Sequence, residues 1–121
     1  MKMTFACEPD DAFLRVTLEG DYPTDNLPKV VAEIREAQLQ YQANKILINA
    51  LAVEAPQSEF QRYAVGELLS STFGSQVKIV IVYPAEITTK FTETVAVNRG
   101  TFLRIMPSET EAIDWLLNGA A

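Results

Sequence analysis

Short apolar segments alternate with longer amphipathic segments along the chain, and turn-forming residues separate them. Phe13–Glu19 alternates between apolar and polar side chains, which is the period of a β-strand with one buried face. Lys45–Leu51 and Val77–Tyr83 are compact, mostly apolar runs, typical of strands that are covered on both faces. Thr4–Glu8 predicts a strand that pairs with Phe13–Glu19 in an antiparallel hairpin at a sheet edge, and Phe102–Met106 predicts the last strand.

Between and after these strands, apolar residues recur at the spacing of amphipathic helices. The predicted helices cover residues 27–41, 58–73, 87–98 and 108–118. In the first predicted helix, the residues that recur at helical spacing are Leu27, Val30, Val31, Ile34, Gln38 and Tyr41, and its apolar stripe consists of Leu27, Val31, Ile34 and Tyr41. Ser108 and Glu111 match a capping box, which starts the last helix. The order β-β-α-β-α-β-α-β-α predicts an α/β fold with a single mixed, mainly parallel five-stranded sheet.

Charge and composition argue against several classes of function. The chain has 121 residues and a net charge of -6, and we expect residues 1–121 to form a single domain. An acidic chain with scattered basic residues is poorly suited to nucleic acid or to anionic membranes, because both are bound through Lys and Arg. There is no histidine, and Cys7 is the only cysteine. This excludes an intramolecular disulfide and argues against the usual zinc sites and catalytic triads.

The sequence also lacks the motifs of common cofactor-binding and membrane proteins. It contains no glycine-rich dinucleotide-binding turn and no P-loop. Ile79–Tyr83, the longest strongly apolar run, is too short to cross a bilayer, and the N-terminus has no apolar signal core. Glu109 and Glu111 are interpreted as solvated or capping residues and not as metal ligands. We therefore expect a non-enzymatic, cytoplasmic protein with no catalytic residue, no cofactor, no metal site and no membrane insertion.

Three segments carry a resemblance to a known family. They are the central strand that ends near Asn49, the strand and proline of VKIVIVYP, and the tail FLRIMPSETEAIDWLL. In these segments and in its order of strands and helices, the whole chain resembles the SpoIIAA-like proteins, or STAS domains. The resemblance implies strands in roughly sequential order, helices on the faces of the sheet, and a regulatory or protein-interaction role in a bacterial cytoplasm.

Ser58 is the position to which the resemblance draws attention. In the anti-sigma-factor antagonists of this superfamily, a partner kinase phosphorylates a serine at the start of the helix that follows the third strand. Ser58 lies at the equivalent position, with Gln57 before it where those proteins usually have aspartate. The alternative interpretation is that Ser58 is simply the N-cap of the helix, in a capping box with Gln61.

Asn49 and Tyr83 end two neighbouring predicted strands at the carboxyl edge of the sheet, where open α/β sheets bind ligands. Together with Phe91 and Val95 of the third predicted helix and Trp115 of the last helix, they define a predicted cleft for a partner or ligand. The alternatives are structural: the side chain of Asn49 bonds to the loop that follows the strand, and Trp115 packs against the sheet or against a subunit.

Two functions fit the sequence. The first is a regulatory module that binds a protein partner or a second copy of itself, as a homodimer, and it depends on the resemblance and on the missing catalytic motifs. The second is a binder of a small apolar or lipid-like ligand, because SpoIIAA-like proteins share their architecture with the CRAL-TRIO lipid-binding domains. The threonine-rich third predicted helix would then pack loosely and open a pocket.

Overall fold

The computed structural model describes residues 1–7, 13–21, 25–54, 59–83 and 100–118. Its elements, in chain order, are β1 (Lys2–Cys7), β2 (Leu14–Gly20), α1 (Leu27–Tyr41), β3 (Lys45–Val53), α2 (Glu59–Phe73), β4 (Lys78–Val82), β5 (Phe102–Met106) and α3 (Glu109–Asn118). The helix predicted over 87–98 lies outside the described residues. Among the helices within them, none is long and apolar enough to span a membrane.

The five strands form one sheet in the order β1-β2-β3-β4-β5, which is also their order in the chain. β1 pairs with β2 in an antiparallel hairpin, while β2, β3, β4 and β5 run parallel to one another. Parallel neighbours need a long connection, and α1 and α2 supply it on either side of β3. The predicted mixed, mainly parallel five-stranded sheet is confirmed.

Apolar side chains cover both faces of the sheet. On the first face, α1 and α2 pack on the strands around these buried residues: Leu14, Val16, Leu18, Val30, Val31, Ile34, Ala37, Ile46, Ile48, Leu69, Phe73, Val77, Ile79 and Leu103. On the second face, α3 packs on the strands around a smaller buried cluster: Phe13, Leu47, Val80, Val82, Ala112 and Leu116. Because side chains alternate along a strand, the remaining polar positions of β2 also lie on the second face.

Local backbone geometry determines where the helices begin and end. At the start of α3, the backbone N–H of Glu111 donates to Oγ of Ser108 at 3.3 Å, as the capping box predicts. After α2, Gly74 has a φ of 58°, the left-handed conformation that glycine adopts without strain. After α1, Gln42 takes the same conformation with a φ of 54°. A residue with a Cβ atom pays a steric cost there that glycine would not.

The buried side of α1 differs from the predicted stripe at its C-terminal end. Tyr41 is exposed, so its assignment to the stripe is wrong, whereas Gln38, which has the predicted helical spacing, is buried together with Ala37. Gln38 is tolerated because its amide is bonded at both ends: Nε2 donates to O of Ala43 at 2.7 Å, and Oε1 accepts from Nη1 of Arg35 at 3.0 Å. The buried amide joins the end of α1 to the turn before β3.

The third strand is longer than the sequence pattern indicates. β3 continues to Val53, beyond its predicted end at Leu51. Its register with β2 shifts between Thr17, which pairs with Asn49, and Glu19. A β-bulge of this kind places an extra residue in one strand and bends it locally. Asn49 therefore lies inside β3 and not at its end.

Candidate interaction site

Three side chains from three elements meet on the second face of the sheet. Nη1 of Arg15 on β2 donates to Oε1 of Glu109, the first residue of α3, in an ion pair. Nδ2 of Asn49 on β3 donates to Oε2 of the same carboxylate at 2.7 Å. Both carboxylate oxygens are therefore bound, and the start of α3 is joined to β2 and to β3. We call Arg15, Asn49 and Glu109 the polar clasp.

The polar clasp is half-buried, with side-chain exposures of 23% for Arg15 and 33% for Glu109. Partial burial on its own would raise the pKa of Glu109, because it disfavours the charged form. The hydrogen bonds from Arg15 and Asn49, with the charge of Arg15, outweigh burial and lower the pKa of Glu109 from its ordinary value. Glu109 is therefore ionised at neutral pH. The guanidinium of Arg15 also lies over the ring of Phe13, 5.5 Å from its centroid.

Asn49 connects the polar clasp to the bulged part of β3. Its Oδ1 accepts the backbone N–H of Leu51 at 3.0 Å, while its Nδ2 donates to Glu109. The predicted structural hydrogen bond of the Asn49 side chain is present, but its partner is Leu51 inside β3 and not a residue of the loop. One amide thus satisfies a backbone donor at the irregular part of the strand and also orients the carboxylate at the start of α3.

Tyr83 follows β4 at the carboxyl end of the sheet. Its backbone N–H donates to O of Met106 at 2.9 Å, which extends the pairing of β4 with β5. Its hydroxyl donates to O of Val53, the last residue of β3, over a long 3.5 Å. Tyr83 therefore joins the carboxyl ends of three adjacent strands, β3, β4 and β5. The bulge in β3 lies at the same end of the sheet.

Trp115 lies near the opposite end of α3 from the polar clasp. It is six positions after Glu109, which corresponds to about 9 Å along a helix axis. Its ring packs against the cluster on the second face, so the predicted packing of Trp115 against the sheet is confirmed. Nζ of Lys78, the first residue of β4, lies 4.3 Å from the centroid of that ring. The structure thus places Trp115 beside the amino end of β4 and not beside Asn49.

Lys78 holds the C-terminal end of α3. Its Nζ donates to O of Trp115 at 2.8 Å and to O of Leu116 at 3.4 Å. The last carbonyls of a helix have no partner within the helix and form the negative end of its dipole, so a cation there is stabilising. Burial, and then the charge of Lys45, lower the pKa of Lys78.

Three of the predicted site residues, Ser58, Phe91 and Val95, lie outside the described residues. The helix that Ser58 precedes begins at Glu59, in agreement with the predicted start. The predicted phosphorylation of Ser58 stays a prediction. The predicted cleft, and with it the binding of an apolar ligand beside the third predicted helix, also stays a prediction.

Sequence reasoning missed the acidic partner of Asn49. Glu109 lies in the first turn of α3, in agreement with its interpretation as a turn or cap residue, but its carboxylate is half-buried and bound on both oxygens and is not simply solvated. The available signal was Arg15, a basic residue at an inward position of a strand that neighbours the strand of Asn49. A carboxylate held in this way is suited to fixing the position of α3, and it is poorly suited to taking up or releasing protons near neutral pH.

The comparisons with known proteins concern the fold. No family model and no curated protein matches the sequence. An anti-sigma factor antagonist from Mycobacterium paratuberculosis matches 95% of this chain and 94% of its own, with a TM-score of 0.61 and 16% sequence identity. The anti-sigma factor antagonist SpoIIAA in its unphosphorylated form matches 92% of this chain and 94% of its own, with a TM-score of 0.51 and 18% identity. The chain has the STAS/SpoIIAA-like fold.

The resemblance inferred from the sequence is therefore confirmed at the level of the fold. In this STAS/SpoIIAA-like chain, α3 is attached to the second face at both of its ends. Opposite charges make the two attachments: the ionised Glu109 at the N-terminal end and the ammonium group of Lys78 at the C-terminal end. Each charge has the sign that stabilises the helix end at which it lies.

Proposed function

We propose that this chain is a regulatory, non-enzymatic module that acts by binding a protein partner in a bacterial cytoplasm. The observation that carries the proposal is the fold, because two of the matching structures are anti-sigma factor antagonists and each of them covers more than nine tenths of the chain. The polar clasp supports the non-enzymatic part of the proposal. Its one carboxylate, that of Glu109, is bound on both oxygens and is therefore poorly suited to transferring protons. The proposal treats residues 1–121 as one domain.

An anti-sigma factor is the class of partner that we propose to test first. The experiment is isothermal titration calorimetry of the full chain against each purified anti-sigma factor encoded by the same genome. We expect a saturable complex with one of them and no heat of binding with the others. If none of them binds, at concentrations up to the solubility limit, the anti-sigma partner is wrong.

We propose Ser58 as the position at which a phosphate would control that complex. The sequence places it directly before Glu59, where α2 begins, so a phosphate would add negative charge next to a helix N-terminus. Ser58→Asp should weaken binding of the partner about tenfold, or about 1.4 kcal/mol, through altered charge on the docking surface. Ser75→Asp is the matched control, since Ser75 is exposed and lies beyond the other end of α2. Equal affinities of the two variants would remove Ser58 from the proposal.

A second copy of the chain is the other partner that we propose, as a homodimer. Light scattering coupled to size-exclusion chromatography measures the mass of the eluting species over a range of concentrations. A dimer mass that persists on dilution supports self-association, because stable homodimers dissociate only at low concentration. A monomer mass at every concentration rules the homodimer out and leaves the heterologous partner.

A further inference from the structure

Two lysines and a phenylalanine form a row across three strands, at the end of the sheet opposite the bulge in β3. Lys45 of β3 pairs in register with Lys78 of β4, and Lys78 pairs with Phe102 of β5. Each of the three is the first residue of its strand. Register partners in neighbouring strands point to the same face and lie about 4.8 Å apart. We call Lys45, Lys78 and Phe102 the amino-end row.

The row lies on the second face, beside the last turn of α3. Along each strand, the next residue belongs to the buried cluster of the first face: Ile46, Ile79 and Leu103. Because side chains alternate, the row itself points to the other face. Nζ of Lys78 meets the ring and carbonyl of Trp115 there, which fixes the row next to the C-terminal end of α3.

Lys45 places a second positive charge directly opposite Lys78 on the same face of the sheet. Like charges directly opposite each other on one face of a sheet are destabilising. Lys78 has a structural role, because its ammonium group binds the last carbonyls of α3. Within the part of the chain that the structure describes, the ammonium group of Lys45 has no carboxylate within ion-pair distance, and its charge repels that of Lys78.

Apolar surface accompanies the two charges. Phe102, the third member of the row, leaves 42% of its side chain exposed, and Leu117 in the last turn of α3 leaves 38% exposed. The chain as a whole has a net charge of -6, so a surface with two adjacent ammonium groups beside exposed apolar side chains has the opposite sign of charge to the protein as a whole. The complementary surface is one that has carboxylates next to an apolar side chain.

We propose that the amino-end row is a docking site for a partner segment that carries a carboxylate beside an apolar side chain. The carboxylate meets the ammonium group of Lys45, and the apolar side chain packs on Phe102. This surface is independent of the proposed anti-sigma role, because the test below uses only the chain and synthetic peptides. The two proposals therefore fail or succeed separately.

The test is a fluorescence titration, since Trp115 is the only tryptophan and its ring lies against Lys78. The probe is a short synthetic peptide of Glu, Asp, Leu and Phe with blocked ends, and the control peptide replaces Glu and Asp by Gln and Asn. We expect a saturable change with the acidic peptide that weakens with salt, and no change with the neutral one. Equal responses to the two peptides, or no response to either, would overturn the proposal.

Lys45→Met separates a docking role from a structural one. It should weaken peptide binding about tenfold while raising the melting temperature by about 2 °C, because it removes a like-charge contact. Phe102→Ala should weaken the same peptide, and Lys29→Met, on exposed α1 surface, should leave the titration unchanged. Lys45→Met with unchanged peptide affinity contradicts the proposal. If the unsubstituted protein is a dimer and Lys45→Met makes it a monomer, the proposal is also contradicted. The amino-end row would then bind a second copy of the chain and not a partner segment.

Discussion

Replacing Glu109 by glutamine tests whether the polar clasp stabilises the fold through its charge. Glutamine has nearly the same shape and keeps an oxygen that accepts from Asn49, but it loses the charge that pairs with Arg15. Arg15→Met removes the guanidinium and keeps an apolar chain beside Phe13. The two single variants and the double variant form a cycle that isolates the interaction between Arg15 and Glu109.

The expected coupling energy follows from the exposure of the pair. Fully exposed ion pairs contribute about 0.2–1 kcal/mol, and hydrogen bonds to charged groups contribute about 1.5–3 kcal/mol. With side-chain exposures of 23% and 33%, the pair lies between these cases. We expect a coupling energy of about 1 kcal/mol, and a free-energy change of that size corresponds to about 4 °C in melting temperature for a chain of this size. Glu36→Gln on exposed α1 surface is the matched control.

The dependence on pH provides a second readout of the same pair. The pKa of Glu109 is lower in the folded state than its ordinary value of 4.5, so the folded state binds this proton less readily. Its contribution to stability is complete above 4.5 and is lost as the pH falls through the lowered value. Urea unfolding followed by circular dichroism measures the free energy of unfolding from neutral pH downwards. A coupling energy within about 0.3 kcal/mol of zero, the range of independent sites, would refute the reasoning.

Three further predictions use the same unfolding measurement. Leu116→Ala should cost about 2–5 kcal/mol, because Leu116 is fully buried under α3, whereas its neighbour Leu117→Ala should cost less than about 1 kcal/mol; similar losses for both would contradict the packing of α3. Gln42→Gly should stabilise by up to about 1 kcal/mol, because it relieves a left-handed backbone, and Gln40→Gly inside α1 should destabilise by a similar amount. Because the pKa of Lys78 is lowered by burial and by a neighbouring charge, the free energy of unfolding should rise with pH between that lowered value and 10.5. Lys78→Met should remove this rise. If the variant and the parent protein show the same dependence on pH, the pKa of Lys78 is not perturbed.

Much of the fold could be predicted from local patterns because each pattern has a local physical cause. The alternation along β2 separates its two faces, and Ser108 with Glu111 starts α3 through a hydrogen bond between near neighbours. The errors arise where distant parts of the chain decide the outcome. Tyr41 has the spacing of a buried residue, but Gln38 is buried in its neighbourhood because Ala43 offers its carbonyl across the turn.

The candidate site was predicted only in part, for a related reason. A local structural bond of the Asn49 side chain could be predicted, since its bond to Leu51 joins residues two positions apart, although Leu51 lies in β3 and not in a loop. Its bond to Glu109 joins residues 60 positions apart, and it depends on how α3 crosses the sheet. The bulge in β3, which sets the position of Asn49 relative to β2, likewise has no local sequence signature. Spacing along the chain therefore could not reveal the polar clasp.

The sequential order of the strands has a consequence for the chain during its synthesis. Every strand pairs only with strands that are its neighbours in the chain, so the sheet can grow in the order in which the ribosome releases it. Leu47, Val80 and Val82 of the second face are made before α3, the described element that covers them. Until Asn118 leaves the exit tunnel, these apolar side chains stay uncovered by α3, and chaperones or other nascent chains can bind them. The synthesis of α3 thus determines when this apolar face of the growing polypeptide becomes covered.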